Sequence, residues 1–227
     1  MEKIKFKAAI FDLDGTLANT IDDLTTGLNL MLEEMGCPLL TVEGTLAAIN
    51  CGAKKMVGKV LPPEVRDDEK LFKKAYDTYL QKYDEHYLDK TVPYDGEIEQ
   101  IRILKEHGFK LAVISNKQDV HTVKIVEKLY GKNVFDIVMG FDPDRGFPTK
   151  PDPAAVNYII SQFGVDKNEV AYIGDSDIDM QTGKKAGLTT FGVTWGFRPP
   201  ELLVQNGADD LIKDPRDISS VLLGYEK

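Results

Sequence analysis

Apolar residues follow two rhythms along this chain. From about residue 20 to residue 90 they recur at helical intervals: Ile21, Leu24, Leu28, Met31, Leu32 and Met35 share one face, and Gly36 ends that run. Helices are predicted over 41–50 and over 53–61, the second stopping before Pro62-Pro63. A longer helix carries Phe72, Ala75, Tyr76, Tyr79, Leu80, Tyr83 and Tyr87 down one side, an aromatic stripe that reads as packing. From about residue 93 the pattern changes to alternating helices and strands. Strands are predicted over 110–115, 135–139, 170–174 and 188–193. Between them fall a helix marked by Ile98, Ile101 and Leu104 that ends near Gly108, a helix over 120–130, one marked by Val156, Ile159, Ile160 and Phe163, and one over 177–186. A short pair of segments, 210–212 and 218–223, closes the pattern.

This alternation implies a parallel sheet covered by helices. The apolar run 8–11 reads as a buried strand too short to stand alone, so it joins that sheet. The helical block is then an insertion. The expected division is an α/β core of residues 1–16 and 93–227 and an all-helical domain of residues 17–92, hinged at 17–20 and at Pro93. There is no internal repeat and no low-complexity segment.

Length and composition are compatible with this picture. The chain has 227 residues, 42% of them apolar, enough for a full core. The net charge of -9 disfavours nucleic acid or an anionic membrane as the main partner. An anionic substrate would need local cations to reverse the field at its site. Cys37 and Cys51 match no zinc spacing and read as reduced thiols of a cytoplasmic protein. The stretch from Met1 to Phe11 is too short for a signal-peptide core, and no segment reaches the length of a membrane span.

Candidate chemistry gathers at the ends of the predicted strands, where open α/β sheets bind ligands. The first strand runs into Asp12-Leu13-Asp14-Gly15-Thr16. Two acids two residues apart can divide the labour on one substrate atom: one attacks or holds a metal, the other moves protons. The strand at 110–115 ends in Ser115-Asn116-Lys117, a hydroxyl, an amide and an ammonium suited to phosphoryl oxygens. The strand at 170–174 ends in Gly174-Asp175-Ser176-Asp177-Ile178-Asp179. Lys150 is a lone lysine fixed by prolines at the start of a predicted helix, in Lys150-Pro151-Asp152-Pro153. Hard carboxylates without histidine or thiolate suit Mg2+. Taken singly, each has a plainer reading: Ser115-Asn116 as a turn, Lys150 as a surface lysine, and the acids at 175–179 as a helix start that favours the macrodipole. Asp177 takes that last role. Order and placement of the four signals favour the chemical reading.

With these motifs in hand, the chain resembles the haloacid dehalogenase superfamily of phosphotransferases. Four motifs match in order: Asp12-x-Asp14-Gly15-Thr16, Ser115-Asn116, Lys150, and Gly174-Asp175-x-x-x-Asp179. Within it the chain is most similar to the phosphoglycolate phosphatase group, through Tyr94-x-Gly96, Ser115-Asn116-Lys117, Lys150-Pro151-x-Pro153, the run from Gly192 to Phe197, and Gly207-Ala208-Asp209. One departure is Asn19-Thr20, where many relatives have Asp-Ser; it falls in the hinge, away from the nucleophile.

The resemblance implies a Rossmann-like parallel-sheet core with helices on both faces and an inserted helical cap. It implies Asp12 as nucleophile, forming an aspartyl-phosphate, and as a Mg2+ ligand. Asp14 would bind the metal through its carbonyl and serve as acid and base through its side chain. Asp175 would complete the metal site, and Asp179 would orient Lys150 or a metal-bound water. Ser115 and Asn116 would hold the phosphoryl group, and Lys150 would anchor both phosphate and Asp12. The loop Asn50-Cys51-Gly52-Ala53-Lys54-Lys55 matches the substrate-facing cap loop, so Gly52, Lys54 and Lys55 are candidates for specificity, equally readable as a solvated helix start.

The expected function is a Mg2+-dependent phosphatase of a small, phosphoglycolate-like phosphomonoester, in the cytoplasm, as a monomer or homodimer. The alternatives are a sugar phosphomutase like beta-phosphoglucomutase, a 5'-nucleotidase or a pyrophosphatase. Asp14 and Asp175 argue against a dehalogenase, which needs neither a proton donor nor a metal site. An intact set of acids and lysine argues against a non-catalytic binding protein.

Overall fold

The structure is a computed structural model that describes residues 6–49 and 52–224. The chain forms two compact units, one of residues 1–18 and 93–227 and one of residues 19–92.

Strand β1 (Ala8–Phe11) is wholly buried. After it come β2 (Ala18–Asn19), helices α1 (Ile21–Glu34), α2 (Val42–Ala48), α3 (Ala53–Val60), α4 (Pro63–Arg66) and α5 (Glu69–His86), and then β3 (Val92–Pro93). β2 and β3 pair as a separate two-stranded ribbon. In the 19–92 unit, Leu24, Leu28, Met31 and Leu32 of α1 and Ala75, Tyr79 and Tyr83 of α5 are buried. The stripe on α5 is graded. Tyr79 and Tyr83 stack at 5.7 Å in its buried part, whereas Phe72 and Tyr76 stack at 6.4 Å half-buried. Asp68 starts α5 by accepting the Lys70 and Leu71 N–H groups at 2.9 Å.

The remaining elements belong to the other unit: α6 (Glu97–Glu106), β4 (Lys110–Gln118), α7 (Asp119–Tyr130), β5 (Ile137–Phe141), α8 (Ala154–Phe163), β6 (Val170–Gly174), α9 (Asp177–Ala186), β7 (Thr189–Val193), α10 (Pro200–Gln205), β8 (Asp210–Ile212) and α11 (Ile218–Leu223). Six strands form one parallel sheet in the order β5-β4-β1-β6-β7-β8. The inner strands β1, β4, β6 and β7 are buried on both faces in their middles, which explains their near-continuous apolar runs. Ala8, Ile10, Ala112, Ile114, Val170 and Tyr172 pack on one face against Val156, Ile159 and Ile160 of α8. On the other, Phe11 meets Phe135 edge-on, and Phe135 meets Tyr130 of α7 in the same way. The architecture is therefore α/β with helices on both faces of a Rossmann-like sheet, as the alternating pattern predicts.

The fifth strand begins two residues later than the predicted 135–139, at Ile137. Asp136 explains the offset. Its N–H donates to the Leu111 carbonyl at 2.8 Å, and its carboxylate accepts the Leu111 N–H at 2.9 Å and Lys105 at 2.7 Å. The acid closes the loop, and Phe135 fills the core as a loop residue. Among the described residues no helix is long and apolar enough to cross a membrane.

The chain lays down β1, β4 and β5 outward on one side of the sheet, then returns to lay down β6, β7 and β8 on the other. The switch point therefore falls between β1 and β6, whose carboxyl ends lead into Asp12 and Asp175.

Within the 19–92 unit, buried Asp23 accepts the Lys90 N–H at 3.0 Å, the Thr91 N–H at 2.8 Å and the Thr91 hydroxyl at 2.7 Å. Asp23→Ala orphans these donors and should destabilise the unit by about 2–4 kcal/mol. Native-state hydrogen exchange will show it as faster exchange of the Lys90 and Thr91 amides and of the α1 and α5 backbone; unchanged protection there refutes the anchoring role.

Candidate active site

Asp12 extends the sheet ladder, its N–H donating to the Ile173 carbonyl at 2.9 Å. The chain then turns sharply, with the Leu17 and Ala18 N–H groups both donating to the Leu13 carbonyl at 2.9 Å. Gly15 is needed for two reasons. Its φ is +83°, and a Cβ there would lie 2.2 Å from Oδ2 of Asp175. Gly196 comes equally close from the other side, where a Cβ would lie 2.2 Å from the Asp175 Cβ. Asp175 is thus wedged between two positions with no room for a side chain. Its Oδ2 accepts the Phe197 N–H at 2.7 Å, and the Thr16 hydroxyl stands 3.5 Å from Oδ1.

The end of β4 is irregular. Its register against β5 slips between Ile114 and Gln118, and such a bulge re-aims side chains. Ser115, Asn116 and Lys117 occupy it. Ser115 Oγ accepts the Lys117 N–H at 3.1 Å and stands 3.4 Å from Oδ2 of Asp14. Lys117 Nζ lies 2.9 Å from Oδ1 of Asp14, with its side chain only 7% exposed. The Asn116 side chain faces the backbone of Lys150: it accepts that N–H at 2.8 Å and donates to that carbonyl at 3.1 Å. The Asn116 side chain thus positions Lys150 with its oxygen and one of its two amide protons, leaving its backbone and the other proton for the expected phosphoryl-holding role.

Lys150 in turn reaches Asp12 Oδ1 and Asp179 Oδ1, both at 2.7 Å, with its side chain 4% exposed. Asp179 is fixed by a capping box at the start of α9. Its Oδ2 accepts the Ser176 N–H at 3.1 Å and hydroxyl at 2.5 Å, and Oδ1 also accepts the Tyr172 hydroxyl at 3.2 Å. The Leu13 N–H donates to Asp12 at 2.7 Å, again on Oδ1. The fixed donors on Asp12 thus converge on one carboxylate oxygen.

Asp12, Asp175 and Asp179 bring oxygens within 4.8 Å of one another, all buried. Burial, then Asp179, pushes the Asp12 carboxyl well above the usual range, with Lys150 opposing. Burial and Asp179 raise Asp175 to about 7, with the Phe197 N–H and Lys150 opposing. Burial works against the Lys150 ammonium, but Asp12 and Asp179 outweigh it and keep it firmly charged. One cation among three buried acids leaves an excess of negative charge on hard oxygen ligands. A small divalent cation fits that donor set. Asp179 is already saturated by Lys150, Tyr172 and Ser176, so Asp12 and Asp175 are the side chains with capacity for it.

The structure thus brings Asp12, Asp14, Ser115, Asn116, Lys150, Asp175 and Asp179 to one rim of the sheet. The cap-loop candidates belong to the 19–92 unit. Asn50 and Cys51 lie outside the described residues; Gly52 precedes α3 with φ +82°, and Lys54 and Lys55 are exposed in its first turn. Sequence reasoning did not give roles to Thr16, Tyr172, Ser176 or the Phe197 N–H. Ser176 could have been found from its capping-box spacing to Asp179; the others have no local signal. Trp195 also braces the loop, its Nε1–H donating to the Thr16 carbonyl at 3.1 Å.

The chain matches the family described as haloacid dehalogenase-like hydrolase over residues 9–193. A phosphoglycolate phosphatase of Thiobacillus denitrificans is 34% identical over 198 residues, 86% of each chain. An N-acetylmuramic acid 6-phosphate phosphatase of Pseudomonas aeruginosa is 30% identical, covering 98% of this chain and 97% of its own. A crystal structure of a candidate phosphoglycolate phosphatase from Lactobacillus delbrueckii subsp. bulgaricus superposes with a TM-score of 0.88 at 29% identity, over 97% of this chain and 99% of the other.

A raised carboxyl pKa favours the folded state only while the group stays protonated. Stability from Asp175 is therefore present below its unfolded pKa and is lost as pH rises through about 7. Metal-free protein should lose on the order of a few kcal/mol between pH 5 and 8, and Asp175→Asn should flatten that slope. Urea unfolding at several pH values measures it; an equally steep slope in the variant rules out Asp175 as a source.

Proposed function

The chain belongs to the haloacid dehalogenase-like hydrolase family, and on that footing we propose a Mg2+-dependent phosphatase that works through an aspartyl-phosphate on Asp12. The coarser part stands on the relatives: the chain is a phosphoric monoester hydrolase of the phosphoglycolate phosphatase group. The observation that carries the finer part is the buried Asp12 carboxylate, held on one oxygen by the Leu13 N–H and Lys150 at the switch point of the sheet.

In the proposed reaction, an Asp12 oxygen attacks phosphorus in line with the ester oxygen. The P–O ester bond breaks, and Asp14 protonates the departing alkoxide. Asp14 then takes a proton from a water that attacks phosphorus, releasing phosphate and regenerating Asp12. Lys117 and Ser115 hold the Asp14 side chain beside the site. Lys150 and the Ser115 hydroxyl neutralise and bind equatorial phosphoryl oxygens, with the Asn116 backbone beside them. Mg2+, held by the side chains of Asp12 and Asp175 and the carbonyl of Asp14, would offset the repulsion between carboxylate and phosphate. Keeping the Asp14 side chain off the metal preserves its capacity to carry a proton.

The helical unit is proposed as the cap that sets specificity and excludes water, with its boundary near residue 17 and at residue 92. Its exposed Lys54 and Lys55, following Gly52, suit a substrate carboxylate such as that of phosphoglycolate. The differing substrate name of the Pseudomonas aeruginosa relative keeps the choice of phosphomonoester a matter for experiment. A cytoplasmic setting accords with a sequence of two cysteines, too few for a disulfide framework.

A screen of phosphorylated metabolites with Mg2+ should release inorganic phosphate, with phosphoglycolate among the substrates; an isomeric sugar phosphate as the sole product would instead establish a mutase. Asp12→Asn should abolish turnover while leaving the unfolding midpoint nearly unchanged. Asp14→Asn should reduce kcat by a factor of 100 or more, on the order of 10²–10⁴ for a lost general acid and base, with Mg2+ affinity retained. Beryllofluoride soaked into crystals with Mg2+ should bond to Asp12; bonding elsewhere overturns the nucleophile assignment.

A further inference from the structure

Apart from the acidic cluster, one buried carboxyl among the described residues has an oxygen without a donor. Glu97, the first residue of α6, is 0% exposed, and its Oε1 has no hydrogen-bond partner among the described residues. The Tyr94 N–H donates to its other oxygen at 3.3 Å. The Tyr130 hydroxyl is its second polar neighbour, and its proton, if aimed at Glu97, would favour the carboxylate. That hydroxyl has one proton, which goes to the Leu17 carbonyl at 2.6 Å. What Tyr130 can offer Glu97 is therefore a lone pair. A carboxylate there would face an acceptor, whereas a carboxylic acid would donate to it.

We infer that Glu97 is a neutral carboxylic acid whose O–H donates to Tyr130, so that Glu97 and Tyr130 together position the Leu17 carbonyl and the turn that follows Asp12 and Asp14. The same residue touches that turn by a second route. Its acceptor bond orders Tyr94, whose ring packs at 6.1 Å against Trp195, and Trp195 donates to the Thr16 carbonyl. The two adjacent carbonyls of the turn are thus braced from one buried acid.

Among the described residues the surroundings supply no countercharge. Arg216 lies against Gly96, but its guanidinium binds Asp214. Ser219 of α11 bonds Gln100, and α7 presents Tyr130. Burial raises the Glu97 carboxyl well above the usual range, outweighing the opposing hydrogen bonds of the Tyr94 N–H and the Tyr130 hydroxyl and the pull of the α6 N-terminus. Glu97 is a positioning residue: nothing places it against the reacting atoms.

Glu97→Gln reproduces the neutral acid, since its amide can donate to Tyr130 and accept from Tyr94. The infrared C=O stretch of a buried carboxylic acid should be present in the wild-type protein at pH 7 and lose intensity in Glu97→Gln. The raised pKa makes wild-type stability fall as pH rises above the unfolded carboxyl range, so the variant's Tm should decline less from pH 6 to pH 9. These two readouts need no substrate. The effect on the turn rests on the phosphatase reading: Glu97→Gln should keep kcat within about twofold, while Glu97→Leu and Tyr130→Phe lower it roughly five- to tenfold at unchanged KM, the scale of one lost hydrogen bond. If Glu97→Leu does not fold, Tyr130→Phe carries that arm. Loss of stability in Glu97→Gln at pH 7, or an unchanged infrared band, overturns the neutral acid. Full kcat in Tyr130→Phe overturns the bracing while leaving the phosphatase assignment intact.

Discussion

A single ammonium serves a group of buried carboxylates, and the rest of the site is arranged around that shortage. Lys150 bridges Asp12 and Asp179, while Asp175 lies in the same cluster with no lysine of its own. Removing charges from water costs several kcal/mol each unless they are paired and hydrogen-bonded. The surrounding residues supply those bonds. Asn116 grips the Lys150 backbone from both sides, Ser176 and Tyr172 saturate Asp179, and the Phe197 N–H holds Asp175. What they leave uncompensated is negative charge at Asp12 and Asp175.

The sheet explains why these acids meet although they are far apart in sequence. Adjacent parallel strands run about 4.8 Å apart, so the residues that follow neighbouring strand ends are brought together by backbone hydrogen bonding alone. β1 and β6 are such neighbours at the reversal of strand order. The close approach of the Gly15 and Gly196 backbones then fixes Asp175 sideways. The helical insertion between β1 and β4 leaves this arrangement intact, because the ladder between those strands is continuous from Ala8 to Phe11.

Much of this was legible from residues alone, and the limits have physical reasons. Buried strands announce themselves as apolar runs, and acids or lysines directly after such runs stand out. That gave β1, β4, β6 and β7 and the residues at their ends. The start of β5 is hidden because Phe135 looks like a strand residue, and only the tertiary bonds of Asp136 show that it precedes the strand. The Asn116 grip on Lys150 spans 34 positions and has no spacing signature. Glu97 reads in sequence as an ordinary acid at a helix start; its burial under Tyr94 and Tyr130 depends on how α6 and α7 pack on the sheet. Local pattern identifies which residues reach the rim, but not how their hydrogen bonds are shared out.

The protein has one tryptophan, and it is bonded to the turn that follows Asp12. With its indole N–H on the Thr16 carbonyl and its ring against Tyr94, Trp195 senses the polarity and rigidity of that turn. Intrinsic emission from this molecule is therefore a local signal with no background from a second indole. A shift in its colour or lifetime reports on a few ångströms of backbone, so the protein carries its own optical probe of loop rearrangement.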